Sequence, residues 1–434
     1  MVVSVLSATQ LVGAASNSTQ EADSLNRPSQ QDATVSFMVS GDPAEKAAYE
    51  TLVAEFEKVH PEIDIELIHV ADDKDFRTRL GNDFAAGTPP DVFLINFRRY
   101  GPFVAKDQIE PVGPYLEQSE VIHPEDFYPI AIEAFTWTDG TIMCIPQNIS
   151  NLVVYYNQDL FDAAGVAYPS NDWTWEDFLT AAEALTLDTD GDGTIDQYGV
   201  GIEPSIIRLA PFVWQNGGQV VTGGNTDPTG LALDLPEARE ALEWFVALQT
   251  EHHVVPDAEA EAAEESESRF INGHTAMFFN SRRGVPTYRE IEGFAWDVAP
   301  LPVGKERASI LHSDAYCMAS ATENKDAAWT FIEYANSEIG QTVIAGTGRT
   351  VPSLISVAES DAFLDPMERP ANSQVYLDAA EYLRIVPTSP TWIDIEGKVN
   401  AELEQAFYGN ISIDEFLDNA NERTAGYFSG AEID

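Results

Sequence analysis

The chain has 434 residues, 44% of them hydrophobic, with 28 Gly and 25 Pro scattered along it without a short period; this length exceeds what one hydrophobic core organises, and the composition excludes collagen-like and wholly disordered chains. Asp and Glu total 72 against 23 Lys and Arg, a formal charge of -49 at pH 7, and such a polyanion repels nucleic acid and anionic lipid. A solvated acidic surface suits a salty exterior, where screening limits self-repulsion.

In chain order, Val2–Ala15 is weakly apolar and runs into a stretch rich in Ser, Asn, Gln and Asp up to Asp32, the composition of a targeting remnant followed by a tether. It lacks the basic opening of a secretion signal, and Leu11-Val12-Gly13-Ala14 has the form of a lipoprotein cleavage box with Ala in place of the lipidated Cys. From Thr34 the pattern changes. Strand Thr34–Val39 is followed by a helix from Pro43 to His60, strand Ile63–Val70, helix Asp73–Ala86 and the wholly apolar strand Val92–Ile95 after Pro89-Pro90-Asp91. A second series holds strand Leu152–Tyr156, helix Asp159–Ala164 and helix Trp175–Leu185, for which Thr174 and Asp177 form an N-terminal cap. Then come helix Pro236–Glu251, a helix-like stretch Ala258–Ile271, strand Ala276–Asn280 and strand Ser313–Ala319. Short apolar strands alternating with amphipathic helices predict α/β layers with ligand loops at strand ends. No run after the start is long and apolar enough for a membrane span.

Two cysteines, Cys144 and Cys317, exclude a disulfide scaffold and a cysteine-rich zinc site. One bridge is compatible with that number, but each lies in an apolar run, where a small buried thiol is the commoner outcome. The acidic run Asp257–Glu267 reads as a solvated helix face. Asp188, Asp190, Asp192, Thr194 and Asp196 repeat oxygen ligands at alternate positions with Gly193 at the sharp turn, matching the first nine positions of an EF-type loop. Position twelve is Gly199 rather than a bidentate Glu, so a distant carboxylate is needed to complete a structural Ca2+ site; a metal-free Asx-turn loop is the alternative.

Several segments together resemble the family 1 extracellular solute-binding proteins, the maltose, trehalose and glycerol-phosphate receptors of ABC importers. They are Ala85–Phe93 (AAGTPPDVF), Ile145-Pro146 leading to Val154–Phe161 (VYYNQDLF), Trp173–Phe178 (WTWEDF), Asn216-Gly217-Gly218 and Gly273–Met277 (GHTAM), in the family order. The resemblance implies a two-lobed periplasmic-binding-protein-like fold (type II), each lobe a mixed sheet flanked by helices, with the ligand cleft between them. Lobe 1 would hold 33–146 plus 306–348 and lobe 2 would hold 147–305 plus 349–434, with crossings near Pro146, Pro302 and Gly348. It also implies an extracytoplasmic monomer that closes on a carbohydrate-type small molecule, hands it to the transmembrane subunits of an ABC permease, and needs no cofactor or catalytic group.

A sugar site needs aromatic faces for the apolar side of a pyranose and planar polar groups for its hydroxyls. Strand-end loops supply both. Ser40 and Asp42 flank Gly41, which permits close approach; Asp42 either accepts hydroxyls or caps the helix that follows. Asn96, Arg98 and Arg99 follow the strand Val92–Ile95 at positions where maltose receptors carry contacts, though Arg98 replaces an acidic residue there. Asn148 and Ser150 lie beyond the first crossing and read as contacts or strand-entry turns. Phe212, Trp214 and Asn216 resemble the aromatic wall of the second lobe, Phe212 having a core role as its alternative. Asn280, Arg282 and Arg283 end a strand, Arg283 standing where maltose receptors place a stacking Trp. Ser313, Asp314, Arg349 and Trp392 complete the set, and neighbouring His312 reads first as a satisfied structural imidazole.

Of 16 arginines, five (Arg98, Arg99, Arg282, Arg283, Arg349) fall in these loops. That concentration points to a solute bearing a carboxylate or phosphate, such as a uronate or phosphodiester, or else to salt bridges with the abundant carboxylates. A secreted glycoside hydrolase is the rival reading, since carboxylates and stacking aromatics serve both roles; a calcium-dependent adhesin is a third. No nucleophile elbow, zinc-binding His pair, phosphate loop or dinucleotide fingerprint is present.

Overall fold

The computed structural model describes residues 33–429; the expected targeting remnant and tether, 1–32, lie outside them. The first sheet has six strands: β1 (Ala33–Ser40), β2 (Ile63–Val70), β3 (Val92–Asn96), β4 (Ile109–Glu110), β5 (Ile145–Pro146) and β14 (Asp314–Ala319), in the order β2-β1-β3-β14-β4, with β5 also on β14. β1 pairs in parallel with β2 and β3, whereas β14 returns antiparallel to β3. Alternation in β1 sends Val35, Phe37 and Val39 into one core and Met38 into the other, as the two-residue period of a strand requires.

Local chemistry builds the elements around this sheet. Helix Pro43–Val59 starts at Asp42, whose carboxylate accepts from the N–H of Glu45, and buries Tyr49, Leu52, Val53 and Phe56 at helical spacing. Helix Asp73–Ala86 is capped by Asp72 and stops at Gly87 in the left-handed region. These match the expectations within a residue. Cys144 and Cys317, whose pairing the sequence leaves open, form a disulfide between the residue just before β5 and β14, with Cα atoms 4.6 Å apart. The antiparallel pairing of these strands, invisible in either apolar run alone, brings the two sulfurs together.

The second sheet, β12-β7-β11-β8, comprises β7 (Val153–Asn157), β8 (Tyr198–Gly201), β11 (Thr275–Asn280) and β12 (Trp296–Ala299). Helix Trp175–Ala184 has the capping box of Thr174 and Asp177. The stretch 258–271 is two helices rather than one, Ala258–Ala263 and Ser266–Ile271, with Glu264 extended between them. Arg269 Nη2 donates to the carbonyls of Ala260 and Glu264 at 2.7 and 3.0 Å, satisfying the first helix's end and holding the break open. Beyond Ala319, where no elements were expected, helices Lys325–Ala335 and Glu338–Ala345 back the first sheet, while Trp392–Phe407 and Ile413–Phe428 pack together on the second half. A two-stranded ribbon, β9 (Val221–Thr222) and β10 (Gly230–Leu231), lies against helix Ile413–Phe428.

Between the halves runs a third sheet, β15-β13-β6, of β6 (Ser150–Asn151), β13 (Ser309–His312) and β15 (Leu383–Arg384). Residues just before β6 bridge to the third passage through Asn148 and Pro352, and the N–H of Gln147 donates to Asp314 O at 2.8 Å. The passages therefore lie side by side. Val303 still bridges to Thr174 before β13 pairs with β6, and Leu354 and Val357 pack in the core of the first half.

Candidate functional site

Loops after β1, β3, β13 and β11 converge beside the three passages. Gly41 has φ of 137°, and a Cβ there would lie 1.5 Å from Glu45 Oε2, so the residue must be glycine for the loop to fold over the helix start. Arg349 comes in from the third passage and binds two carboxylates, Asp42 at 2.9 Å and Glu45 at 2.5 Å. Burial pushes Glu45 up to about 7, opposed by Arg349 and reinforced by Asp314 and Asp42. Glu45 thus holds its proton well above the usual carboxylate range, while Asp42 beside the same guanidinium is held below it. Asp42 therefore caps the helix and pairs with Arg349 at once; the two roles read from the sequence as alternatives leave its oxygens engaged within the chain. Ser40 ends β1 at the rim, partly exposed.

Asn96 donates to Asp314 Oδ1 at 3.1 Å, and its own oxygen accepts from Arg98 Nε at 3.2 Å. Arg98 then reaches across the molecule to Glu396, on helix Trp392–Phe407, at 2.5 and 2.6 Å; the side chains are 10% and 8% exposed, so this ion pair joins the halves in a nearly water-free place. Beside it, a Cβ on Gly101 would lie 2.3 Å from Thr388 O, which shows how closely the β3 loop presses on the second half. Arg99 is partly buried and makes no ion pair among the described residues; burial, then Arg98, lowers its basicity. Asn148 contacts Asp314 Oδ2 at 3.4 Å, and its carbonyl accepts from Ser313 Oγ at 2.5 Å. Ser150 Oγ accepts from the N–H of Arg282 at 3.0 Å.

Several expected contacts stand elsewhere. Trp392 is fully buried and presents no ring face to a solute, because its helix packs it into the core. Phe212 is fully buried against Trp175, Trp244, Phe245 and Phe279. Asn216, just past the end of helix Ile206–Gln215, donates to Glu237 O and Glu240 Oε2 of helix Pro236–Thr250 at 2.7 and 2.8 Å and so ties the two helices together. Asn280 donates to the Tyr288 hydroxyl at 2.6 Å and is buried. Arg282 is 1% exposed; it donates to Gly348 O and Ser373 Oγ at 2.7 and 2.8 Å and lies over the rings of Phe363 and Tyr376, a clamp on the third passage. Arg283 is exposed and makes no ion pair among the described residues. Trp214 lines a groove of about 380 Å3 between the halves, with Glu133, Gln219, Asn225 and Arg384 on its walls.

Three residues at the centre escaped the sequence reading. Glu45 looks like an ordinary first-turn acid, and Glu396 lies some three hundred residues from its partner. Arg208 had a signal: it is the one charged residue in Ile206–Gln215, a helix otherwise apolar up to its last residue. His312, expected as a satisfied imidazole, has a sealed Nε2 without a partner; burial, then Arg208, Arg98 and Arg283, holds its basicity well below the usual range. In the acidic loop, only Asp188, Asp190 and Asp196 bring oxygens within 4.8 Å of one another. Asp188 meanwhile accepts from the N–H groups of Gly191 and Gly193, and Asp192 from that of Thr194, so the loop folds on its own Asx turns and offers three carboxylates toward a Ca2+ shell.

The model of the bacterial extracellular solute-binding proteins matches residues 40–342, well over half of the chain. Among curated relatives, the maltotriose-binding protein of Pyrococcus abyssi is 23% identical over 85% of this chain and 77% of its own, and the mannitol-binding protein of Pseudomonas aeruginosa is 24% identical over 85% of this chain and 87% of its own. The fold is that of the ABC substrate-binding protein from Listeria monocytogenes in complex with cycloalternan, with a TM-score of 0.83 at 24% identity over 92% of this chain and 99% of that one. Two α/β halves joined by three adjacent passages, together with these matches, place the chain: it belongs to the bacterial extracellular solute-binding protein family, whose members capture solutes and catalyse nothing.

Proposed function

We propose that this protein is the extracytoplasmic receptor of an ABC importer, a monomer held at the cell exterior, which closes on a carbohydrate-type solute and presents it to the permease subunits. We include in the reading a solute that bears a carboxylate or phosphate. The observation that carries the proposal is the buried Arg98–Glu396 pair, which joins the two halves beside the three-stranded strap of β6, β13 and β15. A contact of that kind exists only when the halves are shut, and a solute touching both halves favours the shut form by its differential affinity. The lobes would be 33–146 with 306–348, and 147–305 with 349–434; strand pairing and core membership support moving the second passage to 309–314 and the third past Val357. Maltotriose and mannitol, named for two relatives, set the solute class to try first.

Small-angle scattering combined with thermal shift across a sugar panel is the test. A binding sugar should raise the melting temperature by mass action and shrink the radius of gyration. Unchanged dimensions with every sugar, or a cleaved product, refute the reading. A structural Ca2+ at Asp188, Asp190 and Asp196 is a subsidiary part, supported by the convergence of those oxygens. EDTA at low salt should then lower the melting temperature, and an unchanged value removes the ion from the proposal.

A further inference from the structure

Most of the arginine charge expected to face the cleft is already answered within the chain: Arg349 by Asp42 and Glu45, Arg98 by Glu396, and Arg282 by a carbonyl, a hydroxyl and two aromatic faces. Within that set Arg99 and Arg283 make no ion pair among the described residues, and a further guanidinium short of partners, more deeply buried, lies outside it. Arg208 sits in the first turn of helix Ile206–Gln215 and is 5% exposed. Its Nε and Nη1 have no partner. Its one ion pair, 3.3 Å from Nη2 to Glu203, reaches a carboxylate that is 61% exposed. Ser205, at the N-terminus of the same helix, has a sealed Oγ without a partner, and so has His312 at Nε2 on β13, the strand packed against this helix. Arg283 is near enough, with Arg98, to lower the basicity of both Arg208 and His312, although burial is the larger cause in each.

Sealed donors of this kind cost more than their hydrogen bonds return unless something outside the chain satisfies them. Here two guanidinium N–H groups and a hydroxyl belong to the first turn of a helix, its positive end, and the imidazole nitrogen comes from the strand packed against that helix. We propose that Arg208, with Ser205, His312 and Arg283 around it, is an oxyanion subsite of the cleft that takes a carboxylate or phosphate group of the solute. The inference rests on the receptor reading above and adds the residues that choose between acidic and neutral sugars. A guanidinium fork meets two oxygens of such a group at once, and a neutral His312 can add a donor without bringing another charge. Glu203, exposed at the edge, would be displaced from Arg208 toward water.

Isothermal titration of the full chain with D-glucose, D-glucuronate, glucose 1-phosphate, maltotriose and trigalacturonate tests this; the carboxylate and phosphate arms separate the two sources of oxyanion. The natural chain should bind an acidic member about tenfold or more tighter than the neutral sugar of the same size. Arg208→Met should erase that preference and leave neutral binding within about threefold, while Arg283→Gln, at the exposed edge, should reduce the preference about threefold. Equal affinity for acidic and neutral members, or a preference that survives Arg208→Met, overturns the subsite and leaves the receptor standing. Indifference to every sugar, with no change in scattering, is the separate failure of the receptor reading. Melting curves without sugar guard against a folding defect. Removing a buried charge whose one ionic partner is a mostly exposed carboxylate should leave the melting temperature unchanged or raise it, and a fall of about 5 °C or more would mark Arg208 as a structural residue and end the proposal.

Discussion

Glu45 and Asp42 compete for Arg349, and this corner gives the molecule a titration it would otherwise lack. With its carboxyl raised from 4.5 to about 7, the folded chain keeps a proton that the unfolded chain has already released between those values. Stability contributed by that proton is complete below 4.5 and lost as pH rises through about 7. The shift corresponds to about 3 kcal/mol at most, and Glu45→Gln should remove this slope from a plot of unfolding free energy against pH. An identical slope in the variant would assign the proton elsewhere. Arg98 makes a comparable argument about closure. Glu396→Gln leaves a guanidinium shut away without its charge partner, costing about 3 kcal/mol in the closed form only. Affinity for the tightest sugar of the panel should fall about a hundredfold by titration calorimetry, with little change in the melting temperature of the sugar-free chain. At this scale the sequence was legible wherever a residue's role is local: Thr174 caps its helix as read, and Asp42 takes the capping role that stood beside solute contact as its alternative. It was illegible for Arg98, Arg282 and Arg349, because the carboxylates, carbonyls and rings that answer them come from distant segments.

Helix starts and strand alternation carried the reading of elements, since caps and apolar spacing act over a few residues. The split of 258–271 escaped it because the break depends on Arg269 reaching back to two carbonyls. The disulfide is the larger case. It closes a loop of 173 residues between strands that touch only once β14 has returned to the first sheet, and a bridge of that span contributes about 2–5 kcal/mol. Cys144→Ala with Cys317→Ala should lower the denaturation midpoint accordingly, measured in guanidinium chloride. Both sulfurs are buried, so dithiothreitol should act on the native chain slowly, at the rate of opening; rapid reduction with no loss of stability would contradict this.

For the whole molecule, the charge of -49 sets the response to salt. Like charges across both halves oppose the compact and closed forms, and screening relieves that repulsion. Raising NaCl from about 0.05 to 1 M should therefore raise the melting temperature, and a fall would mean that ion pairs such as Arg349–Glu45 outweigh the surface repulsion. It should also speed the association of an acidic sugar, the reverse of ordinary steering, because such a solute is repelled until it reaches the guanidinium groups. The sequence by itself determined the α/β alternation, the capped helices, the order of family segments and hence the receptor class, because these depend on local periodicity and on short motifs read in order. Only the tertiary structure decided which arginines find partners and that the two cysteines join, since each of these depends on residues far apart in the chain meeting in space.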